Sequence, residues 1–110
     1  MADFNKVFDD IKKQVGTEAK TDLKEFSDQG KQDAQAFLEQ SRDRLEKWMQ
    51  LLADKQIDEE EFGWLVESQK AAAQMEALRE ANAGNMQIEK FRDSVFQITV
   101  NAAVAAIGAA

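Results

Sequence analysis

The sequence predicts an all-α protein: a long antiparallel helical hairpin that assembles into a multi-chain bundle. Three observations predict it. The 110-residue chain has no Pro and only five Gly, so it holds few of the residues that punctuate turns and strands. Its first half carries apolar residues at every eleventh position. Its last 17 positions, after Asp93, hold no charge, although 32% of the chain is charged.

The eleven-residue period defines the first element. Phe4, Val15, Phe26, Phe37 and Trp48 are spaced by 11, and Phe8, Ala19, Gly30, Ser41 and Leu52 follow each of them by four. A third row holds Ile11, Leu23, Ala34 and Leu45. Eleven residues in three turns is about 3.67 per turn, close to a straight helix. One helix is therefore expected over 3–53, roughly 75 Å long at 1.5 Å per residue. Its central row turns small at Ala19, Gly30 and Ser41, which lets a neighbouring backbone approach closely. Phe4, Phe8, Val15, Phe26, Phe37 and Trp48 are expected to pack against Trp64 and Leu78 of the second helix, closing the hairpin.

The turn is expected over 54–58. Asp58 is an N-cap, Glu61 completes a capping box from the third helical position, and Ile57 can staple onto Phe62. Glu59, Glu60 and Glu61 load acid into a first turn whose dipole favours it. A connection this short favours antiparallel neighbours.

The second helix is expected over 59–108. Trp64, Ala71, Leu78, Ala81, Ile88, Phe91, Val95, Ile98, Ala102, Ala105 and Ala109 form an alternating 3-4 seam, broken only by Glu67, Gln74 and Asn85. That phase favours one helix bent near Gly84 over a cap at Gly84 and a separate last helix. A strand at "VFQITV" alternates correctly but has no partner strand in the sequence. The whole chain, 1–110, reads as one helical domain.

Most chemistry is excluded by composition. The chain has no His and no Cys, which removes the Ser-His-Asp and Cys-His constellations, thiolate metal sites and disulfides. No glycine-rich phosphate loop or calcium loop is present. "DEEEF" reads as a capped acidic turn rather than a cation site. A net charge of −7 repels nucleic acid and anionic lipid alike. No enzyme activity, no cofactor, no metal and no nucleic-acid partner are expected. "MADFNKVFDD" lacks the basic and apolar regions of a signal peptide. Cytoplasmic residence is the simplest expectation, with signal-less export and membrane association left open.

The uncharged segment 94–110 is apolar nearly all round, and such a helix must be surrounded by protein or lipid. A two-helix hairpin covers only one side of it. The expected function is therefore a self-assembling structural subunit forming a homo-oligomeric bundle, tube or filament. Its interface would comprise Phe91, Val95, Phe96, Ile98, Val100, Ala102, Val104, Ala105 and Ile107, with Asn85, Gln97 and Asn101 fixing register. The eleven-residue period resembles that of lipid-binding apolipoproteins and synucleins. That likeness of period implies an alternative, an amphipathic lipid- or membrane-associated protein anchored by 94–110. A third reading is an adaptor or secretion-machine component that docks its last helix on another helical protein.

Overall fold

The computed structural model describes residues 4–108; Asp3, Ala109, Ala110 and the side chain of Ala71, all assigned to expected elements, lie outside what it describes. Every regular element among the described residues is helical, so "VFQITV" is helix and not strand. Helix α1 spans Phe4–Leu23 and α2 spans Ser27–Ala53, joined by a 3₁₀ turn at Lys24–Phe26. Helix α3 spans Glu59–Glu67 and runs into a 3₁₀ segment at Ser68–Ala72. Helix α4 spans Glu76–Glu80, and α5 spans Asn85–Ala103, ending in a π turn at Val104–Gly108.

Helical residues run without a gap from Phe4 to Ala53, the span the period predicts, but they form two helices joined at a 3₁₀ turn. Lys24 takes the left-handed φ of 48° and turns α1 back against α2. The Arg42 guanidinium donates to Asn5 Oδ1 and lies 4.7 Å over the Phe8 ring. The longest dimension of the molecule is 42 Å, against the roughly 75 Å of a straight first helix. The hairpin of two long helices closed at 54–58 is thus corrected: the first reversal falls inside the apolar stripe itself. The physical reason is burial. Folded back, the stripe places Phe8, Ile11, Val15, Ala19 and Leu23 in a shared core. Stretched out, the same residues would have a single helix to cover them.

The remaining limbs continue the alternation. Arg44 Nη1 on α2 donates to Gln69 Oε1 (2.9 Å), and Asp33 on α2 meets Ala77 and Leu78, so the third limb runs antiparallel to α2. Gln87 Nε2, near the start of α5, donates to the Asp22 carbonyl near the end of α1 (3.3 Å). The result is an up-down-up-down bundle of four limbs, with the third limb broken between α3 and α4. Phe37 of α2 and Phe96 of α5 meet edge to face, ring centres 5.4 Å apart. Gly30 allows the closest approach: a Cβ there would lie 2.2 Å from Leu23 Cδ1 and 3.3 Å from the Phe91 ring.

Two helix starts are held in different ways. Asp58 Oδ1 accepts from the Glu61 N–H (2.8 Å) and Glu61 Oε1 accepts from the Asp58 N–H (3.4 Å), the capping box read from the sequence. Helix α4 has no local cap, because Met75 before it is left-handed at φ 57°. Its first N–H groups are taken instead by the buried Asp33 carboxylate, which accepts from Ala77 N and Leu78 N at 2.9 Å each. The expected single helix over 59–108 is also corrected. Met75 breaks it, and Gly84, extended at ψ 144°, opens α5 as a separate last helix.

Asp33→Ala leaves those N–H groups buried and unmatched. A loss of about 1–3 kcal/mol is expected, the range for a buried donor left unsatisfied. Urea denaturation monitored by circular dichroism measures it.

Candidate interaction surface

The uncharged end forms the fourth limb of the chain's own bundle. Phe91, Val95, Phe96, Ala102 and Ile107 are buried in the core, while Ile98, Val100 and Val104 are half-buried against it. Ala105 alone of the expected interface is exposed. Thr99 sits in the core with its hydroxyl donating to the Val95 carbonyl (2.8 Å), so the one polar residue buried there is satisfied. Asn85, Gln97 and Asn101 are exposed, and Gln97 Nε2 donates to Asn101 Oδ1 one turn on (2.9 Å). They face solvent, not a seam within this chain.

The expected hairpin-packing residues divide. Phe8, Val15, Phe37 and Leu78 are buried, and Phe4, Phe26 and Trp48 are half-buried at the edge of the core. Trp64 departs from expectation and is 60% exposed. On α3 the inward face belongs to Phe62 and Val66, both fully buried. Two residues along a helix is a rotation of about 200°, so burying Phe62 turns Trp64 outward. Of the turn residues, Phe62 is in the core and Ile57 is half-buried against it.

The start of α1, the end of α2, the start of α3 and the π turn converge at one end of the bundle. They enclose a depression of about 850 Å³. Its floor is apolar, with Phe4, Leu52, Ile57, Ala106 and Ile107; its rim carries Asp54, Asp58, Glu59 and Glu61 with Lys55. Trp64 projects from α3 one turn beyond Glu60 and lies outside the lining of that depression. Composition alone signals the acidic turn, whereas only the phase of Phe62 and Val66 against α2 reveals which way Trp64 points.

Elsewhere, between α1 and α5, Glu18 is held close to Asp22. Hydrogen bonding with Asp22 pushes the Glu18 carboxyl above its ordinary range, and burial and the Asp22 charge add to it. Ser94 and Lys90 of α5 oppose the shift. Asp22 Oδ2 is buried with no fixed donor. No group of His, Cys, Asp and Glu able to hold a metal ion exists among the described residues. No helix among them is long and apolar enough to cross a membrane. No family model, curated protein or solved structure matches this chain.

Because the folded-state value of Glu18 is raised, its contribution to stability is full in the acid range. It is lost as pH rises through that raised value. Glu18→Gln removes the penalty, so its Tm is expected to exceed wild type at neutral pH and to vary less between acid and neutral pH. Thermal melts of both proteins across pH check this.

Proposed function

We propose that this protein is a non-enzymatic helical subunit that works by protein–protein association, with other copies of itself as the first partner. The observation that carries the reading is Trp64. All seven Phe are buried or half-buried, as is Trp48, yet Trp64 stands 60% exposed. A Trp side chain can bury roughly 150–250 Å², and Trp is enriched among the anchors of interfaces. An apolar depression opens at the start of the same helix, α3, and is a receptor of matching character. Two copies related by a two-fold axis can each place Trp64 against the other's end, the self-complementary arrangement of an isologous dimer.

The association surface is thus the acidic end rather than the expected face of α5. Like charges meet in such a contact, so its strength should rise as salt screens them. The acidic rim favours a second reading, docking on another protein with a basic surface around an apolar centre, and that contact weakens with salt. The lipid-anchored reading draws on less, since Val95, Phe96 and Ile107 are already buried within the chain.

Sedimentation velocity on wild type and Trp64→Ser, at low salt and at about 1 M, where the screening length is near 3 Å, tests the reading. Association of wild type that strengthens with salt, and weakens at least about thirtyfold in Trp64→Ser, is expected for an interface hot spot. A wild-type protein that stays monomeric at both salts, or a variant that associates equally well, contradicts it.

A further inference from the structure

The geometry points to a second mode of self-association: exchange of α1 between two copies, with the Leu23–Phe26 turn opening into continuous helix. It deepens the self-association reading but uses a different surface, so either can fail alone.

Four features of the turn carry this inference. First, the reversal is made by a lysine at φ 48°, a conformation that L residues other than Gly enter at a cost and do not need. Second, the connection is three residues long, Lys24–Phe26, and contains neither Gly nor Pro. Short strained hinges are the ones that favour exchange. Third, the apolar stripe keeps its eleven-residue step straight through the turn, from Val15 to Phe26 to Phe37. The opened turn is therefore in phase as a helix, and α1 and α2 would present one unbroken apolar face. Fourth, α1 carries four lysines and four acidic residues, so it is neutral in a chain of net charge −7. Docking it on another copy adds little repulsion.

The occupant of the vacated seat is the same segment from the partner copy. In the exchanged dimer each α1 lies between α2 and α5 as it does in the monomer. Phe8, Ile11, Val15 and Ala19 return to equivalent burial. Only the hinge changes, from a strained turn to helix. Exchange therefore conserves the core and relieves Lys24, while the loss of independent motion of two chains sets a concentration threshold.

The chain has no cysteine, which makes labelling clean. Lys12 and Gln35 are exposed and border the same surface groove between α1 and α2. Chains labelled with a donor at Lys12→Cys and chains labelled with an acceptor at Gln35→Cys are unfolded, mixed and refolded together at high concentration. The expected result is a dimer with energy transfer between chains that persists for hours after dilution. Lys24→Gly favours the turn and disfavours helix, and should lower the dimer fraction at least about tenfold. Lys24→Ala does the opposite and should raise it. Two results overturn the proposal: no dimer after concentrated refolding, or a dimer whose yield is the same in both Lys24 variants. A dimer without interchain transfer that is lost in Trp64→Ser overturns exchange while supporting the Trp64 surface.

Discussion

Lys24 holds a left-handed backbone where nothing in its side chain asks for one, and the place of α1 in the bundle follows from it. The turn lays α1 between α2 and α5 and so completes the wall that covers the uncharged end of the chain. A left-handed L residue costs about 1–2 kcal/mol. Burying one large apolar side chain contributes roughly 1.5–3 kcal/mol, and α1 alone sends Val7, Phe8, Ile11, Val15 and Leu23 into the core. The strain is small beside the burial that it permits. Gly30 belongs to the same device, because the space a Cβ would fill there is occupied by Leu23 at the turn and Phe91 of α5.

The same economy recurs along the chain. Lys55 at the second reversal, Met75 at the break before α4 and Asn82 before α5 are also left-handed, whereas no described glycine has a positive φ. That explains which parts of the fold were legible in the sequence. Helix was legible throughout from composition, and the start of α3 was legible because Asp58 and Glu61 cap each other within four residues. The reversal at Lys24 was hidden because its usual signal, a glycine, is spent elsewhere on close packing at Gly30. The eleven-residue step hid it further, since each limb follows nearly the same period on its own. The uncharged end invited an external partner because only two limbs were expected, and two cannot surround it. Four can. The cap on α4 was illegible for a different reason: its carboxylate, Asp33, comes from more than forty positions upstream.

What remains unspent is divided between the two ends of the bundle. At the end where α1 begins and α2 finishes, an apolar depression ringed by acid opens at the start of α3, the helix that carries Trp64. Toward the other end lie the strained turn and, about a turn of helix before it, Glu18, whose carboxyl Asp22 pushes above its ordinary range. Both ends are places where the folded monomer leaves free energy that a contact or a rearrangement can recover. The side of the bundle offers less, since Asn85, Gln97 and Asn101 present polar groups to water along α5.

The account stands on the reversal at Lys24, and one distance tests it most directly. Spin labels at Lys12 and Gln35 of one chain, measured at low concentration in an excess of unlabelled protein, report whether α1 folds back. The two sites border one groove in the folded bundle, so a short separation within the reach of two label side chains is predicted. Twenty-three residues of unbroken helix would instead hold them about 35 Å apart. A dominant population at that long distance would contradict the fold and the burial of the uncharged end together.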